Sequence, residues 1–224
     1  MPAKTATIIG VTGLIGSHLY ELLKQDQSFD TIRLIVRRPI PADHPRTEIK
    51  LIDFNDAESL MLAIDGSDVV FCTVGTTTKK VKGDKEAYRK VDYDIPVKAA
   101  RFCKMLECES LVVVSAVGAN RKSNNFYLKL KGEMEDAVSE VGVRSVHIMR
   151  PSMLLGHRKE FRLGEKIGMG LMKATSFLWP AKYKPVQAND VAKAMIAAVK
   201  QNTEGYFIRE YADIISLSEA VVRS

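Results

Sequence analysis

Three observations predict an α/β fold built on a doubly wound parallel sheet with helices on both faces. Short runs of Val, Ile and Leu recur at Ile32–Val36, Ile49–Ile52, Val69–Cys72, Leu111–Val114 and Ser145–Met149. These runs are mostly apolar rather than strictly alternating, as suits strands buried on both faces of a parallel sheet. Amphipathic stretches lie between them, near 16–25, 56–64, 86–107 and 125–141, and this alternation implies right-handed crossovers. The third observation opens the chain, where Thr5-Ala6-Thr7-Ile8-Ile9-Gly10-Val11-Thr12-Gly13-Leu14-Ile15-Gly16 reads as strand, tight turn and helix start.

Within that first segment Gly10, Gly13 and Gly16 follow one another at intervals of three. Gly10 permits the sharp turn, Gly13 lets backbone approach a phosphate, and Gly16 lets the helix sit close on the strand. A pyrophosphate placed there meets the unpaired N–H groups and the positive dipole end of the helix. Thr12, Leu14 and Ile15 therefore join the three glycines as candidate contacts of a dinucleotide. The spacing is G-x-x-G-x-x-G, not the G-x-G-x-x-G of ordinary Rossmann dehydrogenases. Glycines at this density also make plain turns; the place between strand and helix favours the dinucleotide.

At 224 residues and 46% hydrophobic, the chain suits one domain over 1–224, with a substrate-pocket region at about 150–187. No apolar stretch is long enough to span a bilayer, and a strand starting at about Thr5 leaves no room for a signal peptide. Cys72, Cys103 and Cys108 are odd in number and lack metal-ligand spacing, so reduced thiols and a cytoplasmic location are expected and no metal is. The net charge of +6 gathers at Arg37-Arg38 and at Lys79, Lys80, Lys82 and Lys85, which suits an anionic cofactor or substrate. Basic residues without interleaved aromatics or a docking helix argue against a nucleic-acid partner. An oligomer is left open.

Ligands of such sheets bind beyond the carboxyl ends of the strands. The second strand ends Val36-Arg37-Arg38-Pro39, with no acid where an NAD site places one on the ribose 2′-hydroxyl. Two guanidinium groups there can grip a 2′-phosphate, so NADP(H) is preferred to NAD(H); arginines that merely solvate a loop are the alternative. After the third strand, Asp53 and Phe54 are placed to meet an adenine ring, or Asp53 caps a helix. After the fourth, Thr73, Val74 and Gly75 offer hydroxyl and backbone to the cofactor, or form a polar turn.

The fifth strand ends at Ser115, and Tyr127 and Lys131 follow four apart on one helix face. An ammonium near a phenol favours phenolate, which suits the phenol to acid–base work. Ser115 at the strand mouth would hydrogen-bond a substrate oxygen, and Lys131 would also hold the nicotinamide ribose. A second Tyr-x-x-x-Lys match, Tyr20 with Lys24, lacks a preceding strand-end serine and reads as a buried aromatic beside a solvated lysine.

Beyond Met149, Arg150–Gly156 reads as a loop, 160–175 as a helix, Ala188–Val199 as a helix capped by Asn189 or Asp190, and Tyr206–Ile208 as a last strand. His147 reads as a core or edge residue of its strand; His157 lies near the pocket region.

Together the glycine turn, Ser115, Tyr127, Lys131 and Arg150-Pro151-Ser152 resemble the short-chain dehydrogenase/reductase superfamily in its atypical and extended branch. Gly75-Thr76-Thr77, Val91-Asp92, the Tyr-Leu-x-x-Lys-Gly-Glu stretch to Glu133, and Arg150-Pro151 with Leu154-Leu155 are similar to the Tat-interacting-protein-like oxidoreductases. The resemblance implies NADPH binding, pyrophosphate on Gly10, Gly13 and Gly16, 2′-phosphate on Arg37 and Arg38, a cofactor contact at Pro151, and catalysis by Ser115, Tyr127 and Lys131. Two departures stand out: Cys-Thr-Val-Gly replaces Asn-Asn-Ala-Gly after the fourth strand, and no structural asparagine is identifiable. The short segment after Met149 favours a small carbonyl or alcohol substrate over a nucleotide sugar. Two functions compete: an NADP(H)-dependent oxidoreductase, and an NADP(H)-binding redox sensor without turnover.

Overall fold

The computed structural model describes residues 3–156 and 181–220. Its elements run β1 (Thr5–Ile9), α1 (Leu14–Gln25), β2 (Thr31–Val36), β3 (Thr47–Leu51), α2 (Ala57–Ile64), β4 (Val69–Cys72), α3 (Lys85–Arg89), α4 (Ile95–Met105), β5 (Ser110–Val114) and α5 (Phe126–Val141). Then follow β6 (Ser145–Met149), β7 (Leu154–Leu155), β8 (Val186–Gln187), α6 (Ala188–Lys200), β9 (Gly205–Arg209) and α7 (Tyr211–Ala220). Seven strands make one sheet in the order β3-β2-β1-β4-β5-β6-β9, every pair parallel. Strand order reverses between β1 and β4, and the crevice of a doubly wound sheet opens beyond the carboxyl ends at that switch. Ile9 pairs with Cys72, so Gly10 and Thr73 leave the sheet side by side.

Successive strand residues enter opposite cores, which is why the runs are apolar without alternation. Ile8, Leu34, Phe71, Val112 and Met149 pack with α1, α6 and α7. Ile9, Ile35, Val70, Cys72, Val113 and Ile148 pack with α2, α4 and α5 on the other face. The five runs read as strands are strands, and the predicted doubly wound sheet is the observed one.

Three details differ from the sequence reading. The helix expected over 86–107 is interrupted by a π-helical turn at Lys90–Asp94. Asn189 and Asp190 lie inside α6, whose N-cap is Gln187 without a side-chain cap bond. The pair β7–β8 was not foreseen, because two-residue strands leave no period to detect. The helix expected at 160–175, His157 and most of the pocket region lie outside the described residues.

His147 is fully buried on β6, stacked on Phe207 with ring centroids 5.0 Å apart, as a core histidine should be. Its Nε2 lies 3.3 Å from Ser145 Oγ. Burial, aided by the nearby Arg209 charge, lowers its pKa to about 4. The unfolded chain therefore binds a proton that the folded chain refuses between pH 6.5 and 4, and stability present above that window is lost on descending through it. Replacing His147 by Gln should remove about 2–3 kcal/mol of that loss. Denaturant titrations of both proteins across the window check it; parallel curves would show that His147 contributes none of the acid sensitivity.

Candidate active site

The loop from β1 to α1 is shaped by contacts that admit no side chain at Gly10 or Gly16. Gly10 has φ +100°, and a Cβ there would lie 2.8 Å from Thr73 Oγ1 and 2.9 Å from Val74 N. A Cβ on Gly16 would lie 2.2 Å from the Gly10 carbonyl oxygen, so α1 crosses β1 closer than any other residue allows. The Gly13 N–H donates to the Gly10 carbonyl at 2.9 Å and closes the turn. Gly13 is also the N-cap of α1, which has no side-chain cap bond and no acid in its first turn. Thr12 and Gly13 are exposed, Leu14 half-buried, and Ile15 and Gly16 buried. The helix thus presents uncapped N–H groups and its positive dipole end to solvent at the switch point, a cradle that fits a pyrophosphate.

Thr73 supports this turn rather than facing outward. Its hydroxyl donates to the carbonyls of Ile9 and Gly10, each at 3.1 Å, and its N–H donates to Ile9 at 2.8 Å. The ribose or substrate contact expected of this threonine hydroxyl is therefore corrected: its proton holds the cradle together. Val74 packs half-buried against the core, while Gly75 is exposed. Arg37 and Arg38 are exposed at the end of β2 and, among the described residues, stand in no ion pair. Asp53 accepts from Asn55 N and Nδ2, each at 2.9 Å, in a local turn; Asp56, not Asp53, caps α2. Phe54 packs beside the second core.

Lys131 enters the site from α5 with a side chain only 3% exposed. Its ammonium lies 3.0 Å from Asp92 Oδ1 and donates to the Val114 carbonyl at 3.2 Å. Asp92 sits in the π-helical turn, 1% exposed, and its other oxygen accepts the Thr76 N–H at 2.8 Å. One buried carboxylate thus joins the turn after β4 to the lysine of α5. Val91-Asp92 carries no sign of this role in the sequence, because a single carboxylate within a helical stretch carries no signal of burial. A π-helical turn, a frequent mark of functional sites, is visible only in the structure. Gly132, next to Lys131, has a packing reason of its own: a Cβ there would lie 2.2 Å from Arg121 N.

Ser115 follows β5 as expected, but its hydroxyl donates inward to the Glu135 carboxylate. Glu135, 3% exposed, also receives Arg150 Nε at 3.0 and 3.2 Å, and its carbonyl accepts the Tyr206 hydroxyl at 3.3 Å. The expectation that Ser115 positions a substrate oxygen is corrected: the hydroxyl satisfies a buried carboxylate, and only tertiary contact brings residues 115, 135 and 150 together. Pro151 is buried, and its carbonyl accepts the Val117 N–H at 3.0 Å, tying the ends of β5 and β6. Tyr127 is half-buried on α5, one turn before Lys131, with its ring 6.1 Å from that of Tyr88. Tyr88 is buried, and its hydroxyl donates to the Thr76 carbonyl at 3.2 Å. The second match behaves as read: Tyr20 is buried, its hydroxyl donating to Asp43, and burial raises its pKa. Its Lys24 is ion-paired with Glu21 at 2.8 Å rather than merely solvated.

A glycine-lined turn feeding an uncapped helix at the switch point of a parallel sheet defines a dinucleotide-binding protein with an oxidoreductase-type fold. The chain belongs to the NAD(P)H-binding family, whose model matches residues 10–202. Among curated relatives, "Protein FMP52, mitochondrial" of Candida albicans is 32% identical over 204 residues, 88% of this chain and 89% of that protein. Rat HTATIP2 is 30% identical over 199 residues, 88% of this chain and 81% of that protein, which bears out the Tat-interacting-protein-like resemblance. In fold, the chain is similar to the Bordetella bronchiseptica enzyme WbmH in complex with NAD+, with TM-score 0.73 and 19% identity over 99% of this chain and 81% of that one. MoeE5 in complex with UDP-glucose and NAD gives TM-score 0.70 at 16% identity over 99% and 82%. The cytoplasmic location expected from the sequence is corrected by the relatives named mitochondrial; reduced cysteines mark a reducing compartment, which the cytosol alone does not define. Among the described residues, no helix is long and apolar enough to cross a membrane.

Two glycine variants separate cradle from scaffold. Gly13→Asp should fold, since Asp is a favoured N-cap and the residue's φ of −80° suits it. Its carboxylate should nonetheless abolish dinucleotide binding. Gly16→Ala should destabilise the whole protein by about 3 kcal/mol or more, because its methyl group collides with backbone. Circular dichroism melts with cofactor titration check both; a folded Gly13→Asp protein that keeps its cofactor affinity would reduce the turn to a structural feature.

Proposed function

We propose that this protein is an NADP(H)-dependent oxidoreductase acting on a small carbonyl or alcohol substrate. The observation that carries the reading is the Lys131 ammonium, buried beside the turn after β4 and one helical turn from Tyr127. Gly10, Thr12, Gly13, Leu14, Ile15 and Gly16 hold the pyrophosphate, Arg37 and Arg38 the 2′-phosphate, and Lys131 the nicotinamide ribose. Asp53 and Phe54 flank the adenine, while Thr73, Val74, Gly75 and Pro151 wall the site. When bound, the cofactor supplies or accepts a hydride. Tyr127 gives its phenolic proton to the substrate oxygen in reduction and takes one back in oxidation. The proposed setting follows the mitochondrial relatives. One observation favours the second reading, a redox sensor without turnover: the Ser115 hydroxyl is committed to Glu135 and offers no proton to a substrate.

Cofactor choice tests the arginines. NADPH should bind more tightly than NADH, and Arg37→Ala with Arg38→Ala should erase most of that preference. Each charge-assisted contact is worth ~1.5–3 kcal/mol, roughly ten- to hundredfold in affinity. Equal affinities of the unmodified protein in calorimetry would refute the 2′-phosphate assignment.

Turnover tests the tyrosine. In a screen of carbonyl compounds following NADPH absorbance, Tyr127→Phe should lower any detected rate by ~10²–10⁴-fold with cofactor affinity nearly intact. Tyr20→Phe should leave that rate alone. Turnover that survives Tyr127→Phe would remove the catalytic assignment and leave the sensing reading.

A further inference from the structure

The Asp92 carboxylate meets two partners, and both are donors. Oδ2 accepts the Thr76 N–H at 2.8 Å, and Oδ1 lies 3.0 Å from the Lys131 ammonium. A carboxylate serves two donors because both of its oxygens accept; a carboxamide presents one oxygen and one NH₂, and so must set a donor against one of the two partners. The side chains of Asp92 and Lys131 are 1% and 3% exposed, so water replaces neither contact. Desolvating two charges is costly, and hydrophobic residues of the same volume often serve stability as well or better. Stability alone therefore gives a poor reason for this pair to stand in a π-helical turn at the cofactor end of the sheet.

Proton counting on the lysine supplies the reason. An ammonium has three donors. Among the described residues Asp92 takes one and the Val114 carbonyl a second, both from the protein interior, which leaves the third for a ligand. A lysine stem carries several rotatable bonds, and fixing its head requires partners that make its other orientations poor. Gly75 lies against the same carboxylate: a Cβ there would be in ordinary contact, 3.7 Å from Asp92 Oδ1, so the turn proposed to border the cofactor also passes the carboxylate.

We propose that Asp92 is a positioning residue for cofactor recognition: it fixes the Lys131 ammonium with one proton directed at the nicotinamide ribose, and locks that lysine to the Gly75–Thr76 turn. Asp92 touches no ligand and acts through Lys131. The proposal rests on the reading of Lys131 as the ribose-holding residue and names what makes it so.

A double-mutant cycle on NADPH affinity, read by the fluorescence of the bound reduced nicotinamide, tests it. Lys131→Met should weaken binding about tenfold, the equivalent of one charge-assisted hydrogen bond. Asp92→Asn should weaken it nearly as much and lose the same fluorescence enhancement, although the lysine is still present. The double variant should bind within about twofold of Lys131→Met, because a positioning residue has nothing left to position. Losses that multiply in the double variant, or an Asp92→Asn protein that binds as tightly as the unmodified one, would overturn the proposal. Wild-type affinity in Lys131→Met would overturn the parent reading instead, so the two failures are distinct. Should an unpaired buried charge prevent Asp92→Asn from folding, Asp92→Glu decides, because it keeps the charge and both acceptor oxygens but shifts them along the side chain with Lys131 still present. Binding at least fivefold weaker than the unmodified protein, with lost enhancement, supports the proposal, and unchanged binding overturns it.

Discussion

The cradle at the carboxyl edge of the sheet depends on how closely α1 crosses the ends of β1 and β4. The crossing is set at Gly16, where a methyl group would lie 2.2 Å from the Gly10 carbonyl oxygen, and at Gly10, which packs on Thr73. Bringing the helix this near puts its first N–H groups at the carboxyl edge of the sheet, where strand order reverses. A helix held a side chain further out would still pack, but its dipole end would stand away from the crevice, and dipole effects fall off within a turn. Thr73 completes the constraint by bonding the carbonyls of Ile9 and Gly10, which a valine could not do.

Much of the fold was legible because its signals are local. Apolar runs such as Val69–Cys72 need no partner to be recognised, and glycines at three-residue spacing after a strand declare their turn. At the candidate site the sequence singles out Lys131 by its spacing from Tyr127, while its burial against Asp92 is visible only in the structure. The site was misread where the partner is distant in sequence. Ser115 stands where a substrate-binding serine would stand, yet Glu135 and Arg150 claim its hydroxyl, and nothing near position 115 announces them. Asp92 was passed over for the converse reason: its chemistry comes from a π-helical turn and near-complete burial, neither of which an isolated Asp betrays.

Two buried carboxylates divide the work around α5. Glu135 faces Arg150, Ser115 and the β9 side through Tyr206, and it anchors the helix to the ends of β5 and β6. Asp92 faces Lys131 and Thr76 and joins the same helix to β4. Removing one partner of such a pair strands a charge in the interior at a cost of about 3–5 kcal/mol. The helix that bears Tyr127 and Lys131 is therefore held at both charges, and the residues facing the crevice inherit that rigidity.

The central claim is that the Gly10–Gly16 turn and the α1 terminus bind a dinucleotide. A calorimetric titration of NADPH into the unmodified protein tests it most directly. Saturable binding of one cofactor per chain is expected, weakened by added inorganic pyrophosphate competing for the same helix terminus. No binding heat for NADPH or NADH at any temperature tried, or binding indifferent to pyrophosphate, would contradict it.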